Sequence, residues 1–193
     1  MPAVGLLAVA LAVAALVALH VVGRSHSPVQ RTISEYALIG PAQRALFGVF
    51  ALCLAVAAFA VLVGAWSRPV AAVSLAVFTL GTTVAAFFPT DAIDPAAGEF
   101  DLSTNGRIHT VAALSAFIGL VVAGFAVGPV GNGPLSGVVP LLPFLGTVTF
   151  VVTLAARKPL ARMFGVPTVH GTGERILVLA DLAWLGTVLA SQA

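Results

Sequence analysis

ALFGVFALCLAVAAFAVLVGAW, residues 45–66, runs for 22 positions without a charged side chain. A continuous apolar run of about 20 residues is long enough to cross the hydrocarbon core of a bilayer. Lipid cannot satisfy an exposed backbone, so such a run must be helical. The apolar residues are continuous rather than alternating, which excludes a barrel strand. Working outward, five further runs have the same character: 3–22, 69–88, 108–127, 137–156 and 176–190. The last is short and is lengthened back to 173, with Glu174 and Arg175 at the interface. The expected fold is therefore all-α: a six-helix transmembrane bundle forming a single membrane domain over residues 1–193.

The composition agrees. Apolar types make up 60% of the 193 residues and charged types 8%, against roughly 25% charged in an ordinary soluble domain. So few charges cannot cover a soluble globule. The net charge of +2 from 9 basic and 7 acidic residues is too small for a phosphate-tracking stripe, which excludes nucleic acid as a partner. The first run has no basic leader and exceeds the apolar length of a signal peptide, so it reads as a retained helix. Cys53, the sole cysteine, lies within the second run; it allows no internal disulfide and reads as a packing residue. Interiors rich in Ala, Gly and Val suit close helix packing in lipid, and Pro140 and Pro143 are expected to kink the fifth span.

Charge placement sets a direction. The 23–44, 89–107 and 157–175 loops carry eight of the nine basic residues, and the opposite side carries only Arg68. The positive-inside rule puts those three loops in the cytoplasm and both termini on the extracytoplasmic side of the plasma (inner) membrane. The same face holds six of the seven acids and, with the adjacent helix ends, all four histidines. Chemistry belongs there.

Four polar constellations stand out. In Arg31-Thr-Ile-Ser-Glu-Tyr-Ala37, Thr32 and Glu35 have capping-box spacing. The segment reads either as a short interfacial helix leading into the second span or as a site mouth where Glu35 and Tyr36 handle a headgroup. In Phe87-Phe-Pro-Thr-Asp91, Asp91 follows a helix C-terminus, which disfavours an acid. It needs a partner, with Arg107 or a histidine in reach; Asp94, Glu99 and Asp101 beyond it read as solvated. In Asn105-Gly-Arg-Ile-His109, His109 falls in the first turn of the fourth span, where the helix dipole favours the neutral, ligating imidazole. The fourth, His170-Gly-Thr-Gly-Glu-Arg175, precedes Asp181 and Trp184 in the sixth span, with Thr172 as its expected cap. Glu174 and Asp181 are seven apart and share a helix face. A charged Asp at a helix centre costs about 2.5–3.5 kcal/mol on insertion scales, so Asp181 must be protonated, paired or facing water. The basic and apolar stretch 157–169 reads as an interfacial segment against anionic headgroups.

Ser34-Glu35-Tyr36-Ala37, Phe88-Pro89-Thr90-Asp91, Gly106-Arg107-Ile108-His109 and Gly173-Glu174-Arg175 with Trp184 together resemble the signature of the domain of unknown function 998 family. These are small bacterial and archaeal polytopic membrane proteins, and the likeness covers essentially the whole chain. It implies a membrane bundle without an assigned activity, and marks Ser34, Glu35, Tyr36, Asp91, His109, Glu174 and Arg175 as positions of shared importance. A looser likeness to the membrane hydrolases that include alkaline ceramidases and adiponectin-type receptors implies a zinc at one membrane face. The chain departs from that group in having six spans rather than seven and no His-x-x-x-His pair in a late helix.

Three functional readings stay open. One is a lipid hydrolase, with Glu35, Asp91 and His109 as candidate catalytic residues and Asp91, His109 and His170 as candidate zinc ligands. The second is a binding or transport module in which an anionic lipid, a quinone or a proton engages a watered cleft near Asp181, with Tyr36, Arg107, Glu174, Arg175 and Asp181 as its candidate binding residues. The third is a structural or regulatory subunit, associated with another membrane protein or itself, in which Glu35, Asp91 and Glu174 pair with Arg31, Arg107 and Arg175. No Gly-x-Ser-x-Gly elbow or phosphate-cradling glycine loop occurs.

Overall fold

The computed structural model describes residues 1–92, 102–165 and 168–193. Asp94, Glu99 and Asp101, expected to be solvated, lie outside the described residues. Among the described residues there are seven α-helices, two 3-10 turns and no strand. The helices are α1 (Pro2–Val22), α2 (Pro41–Gly64), α3 (Pro69–Phe87), α4 (Thr104–Val127), α5 (Leu142–Ala155), α6 (Arg157–Phe164) and α7 (His170–Ser191). The 3-10 turns are Ser34–Leu38, between α1 and α2, and Val139–Leu141, leading into α5. Proline opens α1, α2, α3 and α5, where its missing N–H and fixed φ cost nothing.

Around the bundle the order is α1, α2, α3, α4, α5, α7 and back to α1, with α2 also touching α7. Small residues set the closest crossings. A Cβ on Gly81 of α3 would lie 2.5 Å from the Ala112 carbonyl oxygen, and one on Gly119 of α4 would lie 2.8 Å from that of Ser74. At one end, Gly5 of α1 meets Leu189 and Gly64 of α2 meets Gln192. Arg68 donates to the Val127 carbonyl at 2.6 Å, so the lone cation at this end satisfies an orphan carbonyl of α4.

Burial is inverted relative to a soluble protein. Val4, Leu7, Leu11 and Val17 of α1 and Val111, Leu114 and Ile118 of α4 face outward, while Glu35, His109, His170, Glu174 and Asp181 are buried. Helices α1 to α4 are each long and apolar enough to cross a membrane. The α5 segment with its leading turn, and α6, form a further apolar pair bent by 77°. This marks a multi-pass membrane protein. The 22-residue α7 has the length to span, but Glu174, Arg175 and Asp181 lower its apolar character.

Several boundaries differ from expectation. Helix α4 begins at Thr104, earlier than 108, because Ser103 caps it: its hydroxyl accepts from the Gly106 N–H at 3.1 Å. Helix α5 is only 14 residues long. Pro140 lies in the turn before it and Pro143 in its first turn, so neither kinks a span. Helix α7 starts at His170 after Val169, and Thr172 lies inside it rather than capping it. The 157–169 stretch contains the short helix α6, turned away from α5.

Candidate functional site

The segment from Thr32 to Ala37 is not a surface linker. Ile33, Glu35 and Tyr36 are each 1% exposed, so the turn is tucked into the bundle end. Its local geometry follows from the capping-box spacing. Glu35 Oε2 accepts from the Thr32 N–H at 2.7 Å and from its hydroxyl at 3.1 Å, while the Glu35 N–H donates to Thr32 Oγ1 at 3.3 Å. Arg31 adds a charge-assisted bond to Glu35 Oε1 at 2.9 Å. Tyr36 lays its ring over Gly23 at the end of α1, where a Cβ would collide with it, and its hydroxyl donates to the His26 carbonyl at 2.9 Å. Burial raises the Tyr36 phenol above its ordinary value, with the nearby Arg175 cation opposing.

The first turn of α7 closes over this segment. Glu174 Oε2 accepts the Ile33 N–H. His170 Nδ1 bonds Thr168 Oγ1 at 2.6 Å, and His170 Nε2 faces Glu35 Oε2 at 3.7 Å, an ion-pair approach too long for a hydrogen bond. Arg175 ties three segments together. Its Nη1 donates to the Arg31 and Gly171 carbonyls, both at 2.8 Å, and its Nε donates to His20 Nε2 of α1 at 2.8 Å. The Nδ1 of His20 lies 2.7 Å from the Leu16 carbonyl, so the proton sits on Nδ1 and Nε2 is free to accept. The guanidinium carbon stands 5.4 Å from the Tyr36 ring centroid, within cation–π range. Arg175 Nη2 is buried without a hydrogen-bond partner among the described residues.

Asp91 and His109 occupy a separate place, the junction of α3 and α4. The partner of Asp91 is neither Arg107 nor a histidine. Its carboxylate accepts the Ser103 N–H at 2.7 Å and the Ser103 hydroxyl at 2.9 Å. An N-terminal helix end offers donors and a positive dipole, so it serves an acid as a cation would. Gly106 allows the approach, since a Cβ there would lie 1.9 Å from Asp91 Oδ2. The His109 Nδ1–H points at the α3 C-terminus, 2.8 Å from the Phe88 carbonyl and 3.2 Å from that of Ala85. Arg107 donates to its own loop, at the Leu102 carbonyl, 3.0 Å away. These residues splice two helices.

Two voids border the polar residues. One is internal, about 60 Å³, between α2, α3, α4, α7 and the buried turn. Glu174, Asp181, His109, Ser34 and Thr82 contribute its polar lining, among Phe47, Phe50, Phe78 and Phe117. Asp181 is 2% exposed and its Oδ1 has no hydrogen-bond partner among the described residues. Trp184 Nε1, three residues on, is likewise buried without an acceptor. The other is a lateral groove of about 410 Å³ between α1 and α7, walled by Leu16, Val17, Val21 and Leu179, with His20, Arg24 and Arg175 also lining it.

The sequence-predicted site thus divides. The structure brings Glu35, Tyr36, His170, Glu174 and Arg175 together, and sets Asp91, Arg107 and His109 apart at the α3–α4 junction. Among the described residues no three His, Cys, Asp or Glu side chains gather as a metal site would require. Asp91, His109 and His170 therefore do not fit a zinc ion: the first two are engaged at the α3–α4 junction, and His170 faces Glu35. Of the three expected ion pairs, only Arg31–Glu35 is formed among the described residues; Glu174 and Arg175 bond backbone and histidine instead. Sequence reasoning missed His20 as the acceptor for Arg175, Thr168 as the holder of His170 and Thr82 as a cavity hydroxyl, and marked Ser34 only through the family resemblance. Only Ser103 had a local signal, as a Ser three residues before a glycine at a helix start.

A family model described as protein of unknown function (DUF998) matches residues 6–191, nearly the whole chain. No curated protein and no solved structure matches it.

Proposed function

The chain belongs to the family of proteins of unknown function designated DUF998, and on that premise we propose that it binds an anionic lipid in the groove between α1 and α7. One observation carries the reading. The groove has apolar walls along α1 from Leu16 to Val21 and cations at the loop end, Arg24 and Arg175. From Leu16 to Val22, where α1 ends, is six residue steps or roughly 9 Å of helix, with Arg24 just beyond it, a depth that suits part of an acyl chain below and a phosphate above. The phosphate would take charge-assisted bonds from the arginines, and its presence would secure the contact of α1 with α7 that Arg175 and His20 make.

The test uses purified protein in mixed micelles with phosphatidylglycerol or phosphatidylcholine as the probe. Phosphatidylglycerol is expected to raise the unfolding midpoint more than phosphatidylcholine. Arg24→Gln, which leaves the Arg175 bonds intact, is expected to weaken that response roughly tenfold in lipid concentration, the loss of one charge-assisted bond. Equal responses to the two lipids, or an unchanged response in Arg24→Gln, would sink the reading.

We further infer six spans: α1 to α4, the α5 segment, and α7, with both termini outside the cytoplasm of a plasma (inner) membrane. The eight-to-one division of basic residues supports this direction. Spanning by α7 is supported by how its charges are met, with Glu174 on a backbone N–H and Arg175 on two carbonyls. A reporter enzyme active only outside the cytoplasm is expected to be active when fused after Ala193 and silent when inserted after Ser27. The reverse pattern would overturn the orientation.

A further inference from the structure

We propose that Asp181 is an internal proton-binding site that exchanges with the cytoplasmic face through the central cavity, with Glu174 as the relay. The groove reading plays no part in this, since the cavity is a different void, bounded by different helices.

The argument starts from placement. Glu174 and Asp181 share a face of α7, seven residues apart, so Asp181 lies roughly 10 Å deeper along the axis. Both line the same cavity. At the Glu174 level the lining also includes Ser34 of the buried turn, Ala85 from the end of α3 and His109 from the start of α4. The cavity therefore runs from the end carrying the long polar loops down to the depth of Asp181. Its volume of about 60 Å³ accommodates a few waters, and its polar lining gives them partners, the two conditions a buried water needs. The hydroxyl of Thr82 is committed as a donor to the Phe78 carbonyl at 2.8 Å, leaving its lone pairs to the cavity.

The chemistry follows from what surrounds Asp181. Its Oδ1 is buried and unpartnered. The titratable groups lining the cavity are Glu174 and Asp181 from α7 and His109 from α4. His109 is turned by its Nδ1–H toward the α3 carbonyls. From α2 the cavity receives Phe47, Phe50, Ala51 and Leu54, from α3 Phe78, Thr82 and Ala85, and from the turn Ile33 and Ser34. Helix α5, packed on the other side of α7, has no titratable residue, and His20 of α1 is occupied by Arg175. Glu174 in turn faces the Ile33 N–H, with Glu35 and Arg175 nearby. No cation among the described lining residues balances a charge on Asp181, and the ligand we assign to its carboxylate is a proton. An intramembrane carboxylate in a polar cavity is the arrangement from which proton relays are built.

Two measurements on the whole protein test this. The first is infrared spectroscopy of the reconstituted protein. A protonated-carboxyl C=O band is expected that is lost in Asp181→Asn, declines as bulk pH is raised, and shifts on transfer to heavy water. In Glu174→Gln, whose amide oxygen still accepts the Ile33 N–H, the exchange is expected to slow by roughly a hundredfold, the lower end of what a positioned proton-transfer group contributes. The second needs no variant. Dicyclohexylcarbodiimide adds to a protonated carboxyl in an apolar setting: the acid proton moves to a carbodiimide nitrogen and the carboxyl oxygen bonds the central carbon, with no leaving group. Peptide mass analysis is expected to place the adduct on Asp181, with yield falling as pH rises. A carboxyl band that neither titrates nor exchanges would overturn the proposal. So would unchanged exchange in Glu174→Gln, absence of the adduct, or a band removed by sodium at constant pH, which would make the ligand a metal cation.

Discussion

Gly171→Ala is expected to destabilise the protein by about 3 kcal/mol, the upper end of what overpacking a well-filled site costs. A Cβ at this position would lie 2.4 Å from the Arg31 carbonyl oxygen, 2.8 Å from that of Pro28 and 2.9 Å from the Arg31 carbonyl carbon. All three are backbone atoms, so no side chain can rotate aside. The loop they belong to is held from both directions, by Arg175 on the Arg31 carbonyl and by Glu174 on the Ile33 N–H. Relief requires α7 to lift from the turn, which breaks those bonds together. Gly133→Ala is the matched control: nothing lies within 4 Å of a Cβ there, and a surface change of that kind stays within about 0.5 kcal/mol. Denaturant unfolding in mixed micelles reads both. Equal midpoints for the two variants would show that α7 does not press on the loop as described.

Glu35→Ala carries the second large effect, about 1–3 kcal/mol, the cost of leaving the buried Thr32 N–H without its acceptor, since the half-exposed Arg31 keeps its contact with water. The carboxylate accepts from the Thr32 N–H, the Thr32 hydroxyl and Arg31, and it stands opposite His170. Its loss strands a buried backbone donor and loosens the turn that carries Ile33 and Tyr36, both 1% exposed. Glu35→Gln keeps an acceptor for Thr32 and is expected to recover about half of the loss, since it forfeits the charge assistance of Arg31 but not the local fold. The same unfolding assay decides. Glu35→Ala indistinguishable from the parent would mean that the turn is held by its apolar contacts alone.

What the sequence made legible and what it hid follow from the range of each interaction. The helix interiors were readable because span length and apolar character are local properties. The Thr32–Glu35 box was readable for the same reason, with both residues inside one turn. The partner of Asp91 was misjudged because charge arithmetic ranks an arginine above a serine, whereas the donors at the start of α4 reach the carboxylate first. The bond of Arg175 to His20 joins residues 155 positions apart and depends on α1 lying beside α7, which no local pattern encodes. Asp181 was conspicuous by its cost in lipid. That its unpartnered oxygen belongs to a lining group of a cavity shared with Glu174 depended on four helices meeting at that depth. The candidate zinc set failed on the same ground: two of its members are spent joining α3 to α4.

The bond from Ile33 to Glu174 closes a separation of 141 residues, and that distance has a meaning in time. At ordinary synthesis rates, roughly ten seconds or more pass between the two residues leaving the ribosome. Through that interval α1 and α2 can pair, but the turn between them has no carboxylate for its N–H and no arginine across its carbonyl. The nascent chain must hold an unsealed polar knot at the membrane surface until its last helix arrives. Docking of α7 is then the step that closes the ring of helices and shuts the cavity at once. Premature termination between Ala155 and Glu174 would leave helices α1 to α5 with no means of locking them, a ready substrate for membrane quality-control proteases.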